Sequence, residues 1–505
     1  MIGIWLTTVS ISAEAQPLPR QPGYQGRLTV SEAEVRLWQQ RAQTGPYLRR
    51  GDAGANTPGD WQRILQFRDE FVRSPYDSGN TDGQQLDLWT GYSSTIDSLD
   101  QYPVWQGIKL QAAAFCYLVE GDTLAGRLAK EVLLRQVRMV PGPGRNGLRT
   151  ANWPMPGGQK KPNYESGTKE CVWLSRLALA YDYVLPLLAQ AERAEVVQYL
   201  RGSASYFARR AQQRLEGRFP NRARGDYSLR LYTAAPGGAR GLRPDPIYAE
   251  PGSKNPPAYG TRVYTHVNAE GRLGNAIPRL AQDYNNRTAE RMAFVLLAGL
   301  LAGDDYLVRE AKRYQQEWIM FSVFADGTYG EYERNGNYGN PSTGAMWYGA
   351  LCLQSYIRSA DLLSRVGDNS LYTFSTRQGA FNTVVPAGAP PKSLRTVLDR
   401  YVDNLRGQNP IYHGQVAPDT RIDNYNDSPD DRFGTRYATW DYILALANRH
   451  YRSPLYRRVY QRTEPGTLPY PAKGYSSAGK VWLPWGGTGA EVPGWLFMYG
   501  EELQP

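Results

Sequence analysis

Three times in this sequence an apolar run at helical spacing meets Gly-Asp: at Gly121-Asp122, Gly303-Asp304 and Gly367-Asp368. Glycine supplies the left-handed backbone that ends one helix, and aspartate caps the next. A chain punctuated in this way folds back on itself as antiparallel helix pairs. The flanking runs agree: residues 105–119 and 124–137 surround the first junction, 279–301 and 304–324 the second, and 342–363 precede the third. Further helical runs cover 60–72, 169–188 (with Pro186 set to end it early), 191–215, 393–405 and 437–450. A shorter one at 31–43 opens on Ser31 with Glu34 three residues on, the pattern of a capping box. Strand-like alternation is short and rare. The junctions lack the strict period of a solenoid. The expected fold is all-α: an incomplete (α/α) toroid or barrel of antiparallel helical hairpins, with no separate β-domain.

The remaining punctuation suggests the organisation. Residues 1–15 resemble a signal peptide, an apolar run ending in Ala13-Glu14-Ala15, although the basic n-region is missing, as in a truncated signal. Residues 16–58, rich in Pro, Gly, Gln and Arg, are expected to be an extended lead-in, 59–463 the helical domain, and 464–505 an irregular tail packing on it. No later stretch is apolar enough to insert in a membrane. A secreted or periplasmic monomer is expected. The three cysteines, Cys116, Cys171 and Cys352, sit singly in apolar helical runs, which points to buried, inert thiols.

Charge narrows the partner. The formal net charge is +10, which favours an anionic ligand. The basic residues are mostly arginines scattered among Tyr and Asn, with no Lys/Arg block, zinc-finger spacing or RNP motif, so nucleic acid is not the expected partner. Arginine grips carboxylates in bidentate fashion. The 36 Tyr and 13 Trp against 12 Phe suit surfaces that stack on sugars. An anionic polysaccharide fits both features. No dinucleotide or phosphate loop and no metal-ligand cluster occurs, so no cofactor and no metal are expected. The acidic run at 419–431 lacks the EF-hand pattern and reads as a solvated loop.

The densest candidate site is the stretch from Tyr284 to Tyr348. Asn285, Asn286 and Arg287 stand at one end of a predicted helical hairpin. Asp326-Gly327 and then Glu331, Tyr332, Arg334 and Tyr338 stand at the other. These types serve β-elimination from a uronic acid. The C5 proton lies alpha to a carboxylate, so amide or guanidinium donors must neutralise that carboxylate before the proton can leave. A base must reach C5 and an acid must protonate the departing O4. A tyrosine can do either when an arginine lowers its pKa. Asn285, Asn286 and Arg287 are the carboxylate-binding candidates. Tyr338, Arg334, Tyr332 and His266 are the catalytic ones, and Glu331, Trp153 and His413 are candidates for substrate contact. Plainer roles compete: Asn285 and Asn286 as a helix N-cap and its neighbour, Glu331, Glu333 and Arg334 as a surface ion-pair cluster, Tyr332 as packing, His266 as a structural histidine. The arginines at 222, 224, 230, 240 and 243 form either a rim for an anion or a solvated excursion.

This order of parts resembles the helical-toroid polysaccharide lyases, chiefly the alginate lyase family, over roughly residues 90–360. That family has Asn-Asn-His on one helix, then a hairpin, then Asp-Gly with Glu-x-x-Arg and a downstream Tyr. Asn285-Asn286, Asp326-Gly327, Glu331 with Arg334, and Tyr338 match it. The Asp-Gly…Tyr-Gly ending is also similar to chondroitin AC-type lyases. Arg287 stands where the alginate lyases place their catalytic histidine, and Tyr338 lies closer to Arg334 than the family spacing. The resemblance implies a lyase cleaving a uronate polymer, alginate or glucuronan-like, with Tyr338 as base and acid, Arg334 tuning it and His266 assisting. Two other readings stand beside it. One is a noncatalytic glycan-binding protein of a polysaccharide uptake system. The other is a glycoside hydrolase on the same toroid, which needs two carboxylates flanking one bond.

Overall fold

At each Gly-Asp junction the glycine takes a positive φ: 74° at Gly121, 60° at Gly303 and 87° at Gly367. Each aspartate then caps the following turn. Asp122 Oδ1 accepts from the Ala125 N–H (3.0 Å), Asp304 Oδ1 from Tyr306 (3.1 Å) and Asp368 Oδ1 from Ser370 (2.8 Å). The reversals read from the sequence are therefore physical helix ends.

The computed structural model describes residues 26–43, 60–75, 102–139, 166–217, 219–227, 284–329, 343–379, 383–406, 436–461 and 463–465. They form α1 (Glu32–Gln43), α2 (Asp60–Arg73), α3 (Tyr102–Glu120), α4 (Thr123–Met139), α5 (Ser166–Tyr183), α6 (Gln190–Glu216) and α7 (Asn286–Ala302). There follow α8 (Asp305–Phe321), α9 (Thr343–Arg365), α10 (Ser370–Thr373), α11 (Leu394–Leu405), α12 (Arg436–Tyr451) and α13 (Pro454–Tyr460). One antiparallel pair of two-residue strands, β1 (Ser375–Thr376) with β2 (Lys392–Ser393), is the only sheet among the described residues. The described residues are mostly helical, as an all-α fold requires. Short α13 and the strand pair were not anticipated. The run predicted from 279 starts as a helix at Asn286, capped by Asn285. Pro186 breaks the 169–188 run as expected, leaving a single 3₁₀ turn at Leu185–Leu187.

The helices lie in two layers. One is the row α3–α5–α7–α9–α12, each packed on the next; the other is α2–α4–α6–α8–α10–α11–α13. Composition explains which helix goes where. Residues 110–116 of α3, 171–183 of α5 and 292–299 of α7 are buried on every side, as helices that are mainly apolar all round are. Helix α8 is amphipathic and keeps Asp305 and Arg309 exposed. Cys116, Cys171 and Cys352 are all buried free thiols. Burial pushes the Cys116 thiol well above its usual range.

The inner helices run parallel. Gly107 and Phe115 of α3 face Trp173 and Tyr183 of α5. Cys352 and Ser355 of α9 bond to Tyr284 and to Glu290 of α7. The segment 26–43 then crosses the C-terminal ends of α5, α9 and α12. Asp182 accepts from Leu28 N (2.8 Å) and Thr29 N (2.7 Å), and Glu34 pairs with Arg365 (2.8 Å) and Arg449 (2.7 Å). Trp38 packs edge-on against Phe115. Part of the expected lead-in is thus built into the helical body, with Val30, Val35 and Trp38 in the common core. The capping box is present as read: Ser31 N donates to Glu34 (2.8 Å) and Glu34 N to Ser31 Oγ (3.2 Å). No helix among the described residues is long and apolar enough to cross a membrane.

Burial alone would raise Glu34, but Arg365 and Arg449 outweigh it and hold the carboxyl far below its usual range. A depressed carboxyl contributes stability that is complete above its unfolded value, 4.5, and is lost as pH falls below it. Glu34→Gln is therefore expected to cost about 3 kcal/mol at neutral pH, because it leaves two arginines short of a partner. Urea unfolding should show the gap to wild type closing below pH 4.5. A gap constant across that range would mean that the pair does not carry the acid sensitivity.

Candidate active site

The hairpin α7–α8 carries the stretch singled out in the sequence. Its tight crossing depends on Gly299, where a Cβ would come within 2.9 Å of Leu307 Cβ. Because the pair is antiparallel, the start of α7 lies beside the end of α8. Tyr284, one residue before the cap, stacks on Phe321, the last residue of α8, at 6.3 Å between ring centroids. Residues some forty positions apart thereby reach one end of the fold, the N-terminal end of the parallel inner helices.

Asn285 begins that end. Its Oδ1 accepts from Thr288 N (3.0 Å) and Thr288 Oγ1 (3.3 Å), so the plainer N-cap role is real. Asn286 and Arg287 form the first helical turn, both half-buried. On the other side α8 gives way to a tight turn. Val323 pairs with Tyr329, and Asp326 Oδ1 accepts from Thr328 N (3.1 Å) and Oγ1 (2.7 Å). Gly327 has φ 82°, and a Cβ there would lie 2.5 Å from the Thr396 carbonyl oxygen. Only glycine satisfies both demands. Beneath the turn, Lys392 Nζ donates to the carbonyls of Met320 (2.6 Å), Val323 (3.0 Å) and Thr383 (2.6 Å). Burial pulls this amine down to about 7.

An aromatic ladder connects the two sides. Tyr284 meets Tyr314 at 5.2 Å, Tyr314 meets Tyr356 at 6.4 Å, Tyr356 stacks on Trp318 at 3.9 Å, and Trp318 meets Tyr329 edge-on at 5.2 Å. The Tyr329 hydroxyl donates to the Gly349 carbonyl on α9. Burial drives the Tyr284, Tyr314 and Tyr356 hydroxyls well above their usual range. These three are scaffold, since a proton acceptor needs the opposite shift.

A buried charge cluster underlies the same end. Arg222 donates to Glu317 (2.6 Å) and Glu310 (2.7 Å), and Glu310 also receives Arg313 (2.8 Å). Burial alone would lower Arg222, but the two carboxylates more than offset it and raise its pKa. Arg222 is thus neither a rim for an anion nor part of a solvated excursion. It is a core residue on a one-turn helix, Arg222–Arg224. The pattern that could have revealed the cluster is Glu310 and Glu317, seven apart, on the face of α8 that also holds Leu307, Ala311, Tyr314 and Trp318. Two acids on an apolar face need a buried cation. Lys392 follows two prolines in a loop, where no sequence signal marks it.

Of the predicted site residues, the described ones are the consecutive Asn285, Asn286 and Arg287, at the start of α7. Tyr338, Arg334, Tyr332, Glu331, His266, Trp153 and His413 lie outside the described residues, as do Arg230, Arg240 and Arg243. The one described histidine, His450, stacks on Tyr372 at 4.2 Å. Among the described residues no group of His, Cys, Asp and Glu is arranged to hold a metal ion. No protein-family model matches the chain, and no curated protein matches it.

Lys392→Met would leave three buried carbonyls without their donor. The expected loss is about 2–4 kcal/mol in urea unfolding. A loss under roughly 1 kcal/mol would show that the carbonyls find other donors and that the lysine does not hold the turn.

Proposed function

We propose that this chain is an exported polysaccharide lyase, with its helices arranged as an incomplete (α/α) toroid. It would cleave a uronate-containing polymer, alginate or glucuronan-like, by β-elimination. The observation that carries the reading is the meeting of two sequence-distant turns at one end of the α7–α8 hairpin: Tyr284 against Phe321, with Asn285–Arg287 on one side and Asp326-Gly327 on the other. That end also receives the N-termini of the inner helices. Each helix start carries about half a positive charge and unsatisfied N–H groups, a favourable place for a carboxylate.

The chemistry follows from these parts. The substrate's C6 carboxylate sits against Asn286, Arg287 and the start of α7, which take up the charge that develops when C5 loses its proton. Asn285 spends its carbonyl oxygen on the cap, and its amide nitrogen is the end of the right polarity for the carboxylate. Tyr338 removes the C5 proton as phenolate, with Arg334 favouring that charged form and His266 assisting. The C5–H electron pair becomes the C4=C5 double bond, the C4–O4 bond breaks, and O4 takes the proton back from Tyr338. The products are a 4,5-unsaturated uronate end and a free hydroxyl. No water is consumed and no redox cofactor is called for. Arg287 in place of a histidine favours the single-tyrosine route, in which one group serves as base and acid on the same face.

Incubation with alginate, glucuronan and glycosaminoglycans should generate the ultraviolet absorbance of a conjugated C4=C5 uronate on at least one of them. Asn285→Asp separates site from scaffold, since aspartate caps a helix as well as asparagine does. It should leave the unfolding midpoint nearly unchanged while lowering kcat/KM about 10- to 100-fold, a charge-assisted hydrogen bond turned into a repulsion. Tyr338→Phe should lower kcat about 10²- to 10⁴-fold. Absence of the absorbance on every anionic glycan sinks the lyase reading, and tight glycan binding without turnover would replace it with a binding protein.

A further inference from the structure

The buried cluster around Arg222 does more than neutralise charge. Glu317 lies wholly buried on α8 and accepts from two other parts of the chain, Arg222 Nε at 2.6 Å and the Tyr284 hydroxyl at 3.3 Å; burial and then the Glu317 charge push the nearby Tyr227 hydroxyl above its usual range. The two tyrosine rings also converge on a single neighbour, Phe321, with centroid distances of 5.3 Å from Tyr227 and 6.3 Å from Tyr284. Phe219 completes this aromatic floor, 4.8 Å from Phe321. Tyr227 and Tyr284, far apart in the sequence, thus meet over one ring of α8. Tyr284 is also joined by one peptide bond to Asn285, whose side chain caps α7.

We propose that Glu317 is a positioning residue: with Tyr227 and Tyr284 it forms a clasp that sets the orientation of the first turn of α7, and through it the donors of Asn285, Asn286 and Arg287. The inference rests on the carboxylate-binding role given to that turn in the lyase reading. The physical case concerns what a hydroxyl–carboxylate bond can do that ring packing cannot. A tyrosine ring slides and tilts in an aromatic floor at little energetic cost, but its hydroxyl fixes both the rotation and the depth of the ring. With Glu317 itself pinned by Arg222, the Tyr284 backbone has one favoured height relative to α8, and the Asn285 cap follows it. Glu317 touches no substrate. It acts through Tyr284 and the cap.

Replacing Glu317 would leave Arg222 buried with half its partners, so the test uses the hydroxyls. Tyr284→Phe and Tyr227→Phe keep both rings and the ion pairs. Hydrogen–deuterium exchange at the amides of residues 286–290 should speed up about fivefold or more in Tyr284→Phe, the effect of one lost charge-assisted hydrogen bond. Tyr227→Phe should give a smaller increase. Tyr372→Phe, a buried hydroxyl on α10 away from the clasp, should leave those amides unchanged. With an anionic glycan that the wild type cleaves, Tyr284→Phe should lower kcat about fivefold with KM within about twofold, whereas a merely structural role would lower the melting temperature without that split. Unchanged exchange at 286–290 in Tyr284→Phe overturns the clasp, and faster exchange with unchanged kcat overturns its positioning role. If the wild type cleaves no uronate polymer, the lyase reading fails, while the exchange result still decides whether Glu317 sets the turn.

Discussion

Everything at the candidate site depends on one backbone constraint: a glycine at positive φ followed by an aspartate that caps the next turn. At Gly303-Asp304 this reverses the chain within two residues, and the close approach allowed by Gly299 lets α7 and α8 pack tightly from that reversal outwards. An antiparallel pair brings the start of one helix next to the end of the other. Similar reversals at Gly121-Asp122 and Gly367-Asp368 send intervening segments to the second layer, leaving α3, α5, α7, α9 and α12 side by side. Parallel inner helices add their dipoles instead of cancelling them. One end of the row thus collects helix N-termini, and the other collects C-termini.

The two ends are finished in matching ways. At the C-terminal end, segment 26–43 lies across the row, and Glu34 gathers Arg365 and Arg449, cations where helix dipoles are negative. At the N-terminal end the buried cation is Arg222, and its acids, Glu310 and Glu317, both come from α8. Buried pairs of this kind yield little net stability, because desolvation offsets much of their attraction. Their effect is to make displaced registers costly, since any shift leaves a charge uncompensated. Apolar contacts among α3, α5 and α7 supply the cohesion, and the charge clusters decide how the connecting segments sit on it.

How much of this was legible in the sequence depended on how local the cause was. The Gly-Asp reversals, the Ser31–Glu34 capping box, the break at Pro186 and the Asn285 cap each rest on residues within a few positions, and each is present in the fold. Arg222 was misread because its partners lie 88 and 95 residues away, beyond any spacing rule. Lys392 was missed because its acceptors are backbone carbonyls, which every sequence has. The candidate site divides in the same way. Its cap and first turn were readable as local structure, whereas the fastening of that turn that we propose for Glu317 depends on its tertiary contact with Tyr284.

On the lyase reading, the environment at this end also limits which tyrosine can act. A phenolate base must sit where its charge is solvated or paired. Tyr284 and Tyr314 are wholly buried, and Tyr356 is stacked on Trp318 at 3.9 Å with its hydroxyl driven upwards by burial. Tyr329 gives its hydroxyl to the Gly349 carbonyl and so acts as a structural donor. Tyr284, Tyr314, Tyr329 and Tyr356 are therefore occupied in building the floor. The base we propose lies in the chain that follows the Asp326-Gly327 turn, where Tyr332 and Tyr338 alternate with Glu331, Glu333 and Arg334. A rigid aromatic floor, a turn locked by Lys392 and Gly327, and a tyrosine–arginine segment issuing from that turn make one consistent division of labour. The buried tyrosines hold position, and in the proposed mechanism the tyrosine beside an arginine carries the proton.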